Sequence, residues 1–293
     1  SAANDRFSTE FITTHLGASQ VPAALGLDPY CAPILLWQRY KGLEPWPEQN
    51  KAMTWGHRLE PVIAAHAAEQ MGVQLTKGET LQHPRIPWLV ATPDYHAFAN
   101  GVQIGLVECK AVGAVTFSHA VKQRWGDDGT DEVPLYVIAQ VQTQMLTALA
   151  LGVNASSTTV AAWIAGDTPR LYTIPYDEEA AQTIVTRASA FWLCVQSNTP
   201  PPPDATEAYQ EYLKRRFPGS TERTIEADER QEMIARAYIE ANAVRKQAEK
   251  DEQFARNQIE TEMMDHERMT FAGGGVTWKS QNNGSALQPE FWG

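Results

Sequence analysis

Two stretches of the chain hold residues whose types and spacing suit phosphodiester chemistry. Ala91-Thr92-Pro93-Asp94 comes first, and Glu108 follows fourteen residues after the aspartate in Leu106-Val107-Glu108-Cys109-Lys110. Glu108 and Lys110 are two apart in a run that reads as a strand, so their side chains fall on one face. Leu106, Val107, Cys109 and Val112 around them are apolar. An acid and a base in such a strand are costly unless they pair or bind a metal. A hairpin between a strand ending at Asp94 and this one would set Asp94 beside Glu108. Two carboxylates with a neighbouring backbone carbonyl make a hard-oxygen set for Mg²⁺ or Mn²⁺. Such an ion polarises a phosphate oxygen and lowers the pKa of a bound water. A lysine beside it can orient that water or stabilise charge developing on the phosphate. An isolated Glu-x-Lys is common by chance, and the same residues also read as an ordinary strand with an ion pair.

Two helical patterns flank this run. In Trp55-Gly56-His57-Arg58-Leu59-Glu60-Pro61, Glu60 falls within the first two turns of a helix that precedes the strands. It is either a third acid for the site or a residue complementing the helix dipole. In Val133 to Gln144, Gln140 and Gln144 share a face at i, i+4, with Tyr136 one turn earlier. This stripe either reaches substrate phosphate and the attacking water or is simply the solvent face.

The elements that must position these residues can be read coarsely. Residues 18–25 and 31–41 read as short helices around a Gly26-Leu27-Asp28-Pro29 turn. Residues 54–71 read as a longer helix capped by Thr54. Strand-like runs cover 73–76, 88–92 and 104–112. A helix is expected over 134–151, opened by Pro134. Strands over 157–164 and 170–175 follow, then a helix over 177–197 started by Asp177. This order predicts an α/β core, a central mixed β-sheet flanked by helices. Pro200 to Pro203 interrupt the pattern, since such a run cannot continue a helix. The reading is therefore a domain over 1–199 and, over 200–293, a Pro-rich linker, a charged helical extension and a tail. Residues 228–268, as one helix, would span roughly 60 Å; a protruding arm, a helical hairpin, a subunit-contacting coiled coil and a solvated helix pair packing on its neighbour are all open. From Gly273 onward the tail reads as a loop.

The 293 residues, 43% apolar and 20% charged, describe a globular protein with a substantial core. No apolar run is long enough for a transmembrane helix. The first 25 residues lack a basic segment followed by an apolar one, which predicts no secretory signal. Cys31, Cys109 and Cys194 are too scattered for a disulfide framework or a zinc site, and reduced thiols in a cytoplasmic protein are expected. The net charge of −11 argues against coating nucleic acid through bulk positive charge, so any DNA groove must be local; Lys110, Lys122 and Arg124 are its candidates.

Five blocks occur in order: Gly17-Ala18-Ser19, Trp55-Gly56-x-x-x-Glu60, Thr92-Pro93-Asp94, Val107-Glu108-Cys109-Lys110 and Tyr136-x-x-x-Gln140-Val141-Gln142. Over about residues 9–197 this resembles the lambda exonuclease / YqaJ-like viral recombinase family of the PD-(D/E)XK nuclease superfamily. The resemblance implies a restriction-endonuclease-like core and a Mg²⁺-dependent 5′→3′ exonuclease acting on linear double-stranded DNA. Asp94, Glu108 and the Cys109 backbone carbonyl would be metal ligands, with Mn²⁺ able to substitute. Lys110 would be the catalytic lysine, Glu60 an accessory acid and Gln140 an active-site polar contact. Ser19, with Tyr136 and His15, would meet the substrate near a 5′-phosphate pocket. The family also implies a homo-oligomer, a trimer by analogy, working with a single-strand annealing protein in the host bacterial cytoplasm.

The sequence departs from the family pattern at Ile12 and Pro29, where relatives often carry basic residues; His15, Arg39 and Lys41 are the candidates to replace them. Tyr95 stands where a glycine is usual, and Tyr95 and His96 either contact DNA or close the hairpin. The segment Val276-Thr277-Trp278-Lys279 is similar to one in phage members. Two other readings stay open, an endonuclease on the same core and a DNA-end-binding module without catalysis. An iron–sulfur nuclease would need four clustered cysteines, and the chain has three.

Overall fold

The computed structural model describes residues 9–48, 50–113, 125–166, 168–219, 222–281 and 284–291. Two compact units result, Ser1–Gly219 and Ser220–Gly293.

The first unit opens with helix α1 (Thr9–Thr14), strand β1 (Leu16–Gly17) and helices α2 (Val21–Ala24) and α3 (Pro33–Tyr40). Helix α4 runs Lys51–Met71, three residues longer at its start than the apolar pattern predicts. Asn50, not Thr54, is its cap, accepting a hydrogen bond from the Met53 N–H at 2.9 Å. Gly72 ends it at φ 63°, a conformation glycine adopts without Cβ strain. Strands β2 (Gln74–Lys77), β3 (Leu81–Gln82), β4 (Leu89–Ala91), β5 (Tyr95–Ala99) and β6 (Val102–Val112) follow. Then come helix α5 (Leu135–Ala150), strands β7 (Ser157–Ile164) and β8 (Arg170–Pro175), and helix α6 (Glu178–Gln196), capped by Asp177.

The expected central mixed sheet is present, in the order β2-β5-β6-β7-β8. The β6–β7 pair is parallel and the others are antiparallel. A parallel pair needs a long crossover, and α5 lies within it. The sheet is covered on both sides, with the alternation expected of strands. Val160, Ala162 and Ile164 pack with Leu106 and with Val137, Val141 and Met145 of α5. Ala161 and Trp163 pack on the other side with Leu59, Ile63 and Ala67 of α4. Fully burying side chains such as Leu106 or Met145 contributes about 1.5–3 kcal/mol each.

The strand expected over 88–92 divides its role from the one that meets β6. Strand β4 joins a separate small sheet, parallel to β1 and antiparallel to β3. The partner of β6 is β5, which begins immediately after Asp94. Asp94 therefore precedes a strand rather than ending one.

The unit boundary also differs from the proline run. Helix α7 (Glu207–Arg216), capped by Thr206, continues the first unit because Tyr209 and Tyr212 bury their rings there. Tyr212 meets Trp37 of α3 edge-on at 6.4 Å.

In the second unit, helix α8 (Glu229–Met263) is continuous and opens with a capping box of Asp228 and Gln231. The segment read as a loop is instead a three-stranded antiparallel sheet of β9 (Arg268–Phe271), β10 (Gly274–Gln281) and β11 (Gly284–Phe291). Gly273, at φ 82°, turns β9 into β10. Val276-Thr277-Trp278 then has the β-branched and aromatic character of a strand. The side chains of Trp278 and Lys279 lie outside the described residues, as do Lys122 and Arg124.

Candidate active site

Strand β6 carries Glu108 and Lys110 on the side that faces α5, and α5 meets them with Gln140 and Gln144. Glu108 is buried. Its Oε1 accepts from Lys110 Nζ at 2.9 Å and from Gln140 Nε2 at 2.6 Å. Its Oε2 accepts from Gln144 Nε2 at 2.8 Å. Lys110 Nζ also donates to Gln140 Oε1 at 2.7 Å. Burial alone would lower the Lys110 pKa, but the charge and hydrogen bond of Glu108, with Asp94 and Tyr136 adding to them, leave it raised. Lys110 is thus held as the cation. Tyr136, one turn before Gln140, is near enough to share in this field.

Asp94 sits at the head of β5, and its Oδ2 accepts from the Cys109 backbone N–H at 2.8 Å. The loop that brings it there depends on Gly78, whose N–H donates to the Asp94 carbonyl at 2.9 Å. A Cβ at Gly78 would overlap the Pro93 carbonyl. Burial pushes the Asp94 carboxyl up to about 8, and Glu108 and Glu60 add to this against the Cys109 N–H and Lys110. The Cys109 thiol is also pushed up, by burial and then by Asp94, Glu108 and Glu60. It stays protonated, and the backbone of this residue is what serves the site.

Glu60 reaches the same region from α4. It is ion-paired with Lys77 of β2. Tyr95 hydrogen-bonds Glu60, and burial followed by Glu60 pushes its hydroxyl up to about 12. Lys77 lies over the Tyr95 ring at 4.6 Å. Tyr95 thus packs within the site wall. His96 is buried between Glu79, at 3.2 Å from Nε2, and Gln103, at 2.8 Å from Nδ1. It closes the hairpin.

Gln144 is a site residue that the sequence marks only by its i, i+4 spacing from Gln140. It is buried, and its Oε1 has no hydrogen-bond partner among the described residues.

The Gly17-Ala18-Ser19 turn follows β1. Ser19 and His15 line a cavity of about 370 Å³ that also reaches Gln140 and Thr92. Neither Arg39 nor Lys41 lines it. Arg39 instead donates to Cys31 Sγ at 3.3 Å. Ile12 forms part of the cavity wall. The structure therefore brings Asp94, Glu108, Lys110, Gln140 and Glu60 into one neighbourhood, with Ser19 and His15 in an adjoining recess.

Among the described residues, no group of three or more His, Cys, Asp and Glu side chains is placed to hold a metal ion. The set expected from the sequence has two such side chains and a carbonyl. Its donor chemistry suits a hard divalent cation. Burial first, and then repulsion from Glu108, make Asp94 resist ionisation, and a cation would offset both. A carboxylate offers about four lone-pair positions. Glu108 uses three of them for Lys110, Gln140 and Gln144, which leaves one on Oε2.

No curated protein matches the chain. An alkaline exonuclease (LHK-Exo) from Laribacter hongkongensis is 23% identical, with 71% of this chain and 97% of that chain covered at a TM-score of 0.48. Its complex with dAMP gives 22%, the same coverage and the same TM-score. A phage related exonuclease from Haemophilus somnus 129PT is 12% identical over 64% of this chain and 97% of that one, at 0.42. Residues 10–151, which include every side chain of the site, match the family model of the YqaJ-like viral recombinase domain.

Proposed function

We propose that the chain is a metal-dependent deoxyribonuclease that resects linear double-stranded DNA from its 5′ ends. The observation that carries this reading is the hydrogen-bonded assembly of Glu108, Lys110 and Gln140 beside the buried Asp94, inside a YqaJ-like viral recombinase domain. Asp94, Glu108 and the Cys109 carbonyl would hold Mg²⁺, or Mn²⁺ in its place. Such an ion supplies charge stabilisation to a phosphate oxygen and acidifies water.

The chain's own residues do the rest. Gln140 takes a hydrogen bond from Lys110 Nζ and gives one to Glu108, which fixes the ammonium toward the phosphate side of β6. A lysine held protonated in a partly buried site stabilises negative charge as it develops on a phosphodiester. Glu60, ion-paired with Lys77, would orient a water or accept its proton. Working as a homotrimer and with a single-strand annealing protein belongs to the same proposal.

The test uses linear duplex DNA beside closed circular DNA, with Mg²⁺ or EDTA, for wild type and Lys110→Ala. Metal-dependent loss of the linear substrate alone, from its 5′ ends and absent in the variant, supports the proposal. Cutting of the circle assigns an endonuclease. Binding without cleavage of either substrate assigns a DNA-end-binding module.

A further inference from the structure

Gln140, Gln142 and Gln144 of α5 are all buried, and they differ in what their amides hold. Gln142 is satisfied at both ends and serves the scaffold. Its Nε2 donates to the Pro175 carbonyl of β8 at 2.8 Å, and its Oε1 accepts from the Asp177 N–H at the head of α6 at 3.0 Å. Gln144 is 1% exposed, and its Nε2 has two hydrogens to place. One goes to Glu108 Oε2 at 2.8 Å and the other to the Thr92 carbonyl at 3.3 Å. Turning the amide over would set Oε1 against the Thr92 carbonyl, which has no proton to give, so it is the nitrogen that faces this pair. Oε1 is then left, buried, without a hydrogen-bond partner among the described residues.

A buried carbonyl without a donor is a standing cost, and a methionine would fill the same length of α5 without it. Packing therefore does not account for a glutamine here, whereas its nitrogen does. The two groups it joins belong to the two arms of the carboxylate pair. Glu108 stands on β6. Thr92 comes two residues before Asp94, and the fixed φ of Pro93 between them passes the position of the Thr92 carbonyl on to Asp94. Thr80, whose hydroxyl lies 2.8 Å from that of Thr92, and the Gly78 N–H, 2.9 Å from the Asp94 carbonyl, also hold this arm. The Cys109 N–H ties Asp94 to the β6 backbone. Gln144 adds the tie between the Glu108 carboxylate itself and the Asp94 arm. It also takes up one lone-pair position of Glu108 Oε2, which fixes the one that stays open.

We propose that Gln144 is a positioning residue that sets the Glu108 carboxylate against the Asp94 arm before a divalent ion arrives, and so determines how tightly that ion is held. It acts through Glu108 and Thr92. A carboxylate already fixed by donors loses little freedom when an ion binds it, and its open lone pair is aimed in advance. The inference rests on the metal-dependent reading above for the identity of the ion.

The test is a titration of the full chain with Mn²⁺ in the absence of DNA, followed by loss of the free-ion EPR signal. Asp94→Asn should abolish tight binding, which locates the ion. Gln144→Met keeps the length of the side chain and removes the donor, and it should weaken Mn²⁺ by about ten- to a hundredfold. Gln142→Met removes another buried glutamine of the same helix and should leave the Mn²⁺ Kd within about threefold. Thermal melts show that each variant is folded, and Gln144→Leu takes the place of the methionine variant if that one is not. Cleavage of linear duplex then separates positioning from contact. In Gln144→Met the Mg²⁺ concentration for half-maximal cleavage should rise by the same factor as the Mn²⁺ Kd. Its kcat at saturating Mg²⁺ and its KM for DNA should stay within about threefold of wild type. Equal Mn²⁺ affinity of wild type and Gln144→Met, equal weakening by Gln142→Met, or no Mn²⁺ binding by the wild type would each overturn the inference. Mn²⁺ binding that depends on Gln144, in a chain that cuts no DNA, leaves the positioning role and removes the nuclease. Cleavage with no effect of Gln144 on Mn²⁺ does the reverse.

Discussion

Gln140 bridges Lys110 and Glu108 through a single amide: its Oε1 accepts from Lys110 Nζ at 2.7 Å while its Nε2 donates to Glu108 Oε1 at 2.6 Å. The same Glu108 oxygen accepts from Lys110 directly, so the three groups close a ring of hydrogen bonds. Gln140 thus orients both charges at once. Hydrogen bonds to charged groups are worth about 1.5–3 kcal/mol. Replacing Gln140 by Leu should therefore lower kcat by about ten- to a hundredfold. Gln140→Glu should be worse than Leu, because a second carboxylate 2.6 Å from Glu108 repels it. Steady-state cleavage of linear duplex measures both.

Asp94 makes a prediction about metal and pH. Burial, and then Glu108, push its carboxyl from the ordinary 3.8 up to about 8 in the folded chain. Between those values the folded, metal-free chain holds a proton that the unfolded chain has released. Its stability accordingly falls as pH rises through that window. Asp94→Asn should flatten this loss, and metal-free melts at pH 5 and pH 8 should show a smaller difference for the variant. Mg²⁺ at a hundredfold over its Kd should add about 2.7 kcal/mol to the wild type at pH 8 and far less to Asp94→Asn.

Much of this site is legible in the sequence, and the gaps have physical reasons. The β6 run shows itself because Leu106, Val107 and Cys109 surround two charges at a strand's period of two. Helix α5 shows itself through its apolar stripe, and Gln140 through its place on it. Strand β5 is hidden because its Tyr95-His96 opening breaks the apolar alternation, and the buried His96 has polar partners, Glu79 and Gln103, that the local pattern does not show. The helical pattern after the proline run is legible, but that α7 packs on the first unit is not, since nothing local says that Tyr209 and Tyr212 find Trp37. The three-stranded sheet after α8 is hidden because Gly273 to Gly275 read as loop when the first of them is a turn. The recess of Ser19 and His15 draws on segments around residues 11–20, 46–53, 90–92 and 140. No spacing rule links such separated pieces, and only the fold assembles them.

His83 offers a second pH readout, away from the chemistry. Its ring is buried, and Nδ1 accepts from the Arg85 N–H at 3.2 Å, which requires an unprotonated nitrogen. Burial lowers its pKa below the ordinary 6.5, and Arg85 adds to this. Stability from this group is fully present above pH 6.5 and is lost as pH falls through the lowered value. Because Asp94 pulls the other way over the same range, the readout is the difference between wild type and His83→Gln. The variant should gain melting temperature relative to wild type as pH falls from 7 to 5, while costing about 1 kcal/mol at pH 7 through imperfect packing.

The burial of α7 against α3 sets where the chain can be cut. Tyr212 is buried and meets Trp37 edge-on. The Tyr209 hydroxyl lies 3.4 Å from the Pro201 carbonyl, which fastens the proline run to the helix. Removing a large buried aromatic side chain costs about 3–5 kcal/mol, so Tyr212→Ala should lower the melting temperature of the first unit by several degrees. A chain ending at residue 219 keeps these contacts and should unfold cooperatively near the temperature of that unit in the full chain. A chain ending at residue 199 loses both tyrosines, leaves Trp37 open to water and should melt well below it. Equal melting of the two truncations would show that α7 contributes nothing to the first unit. Denaturant titration of both, followed by tryptophan fluorescence, decides between these outcomes.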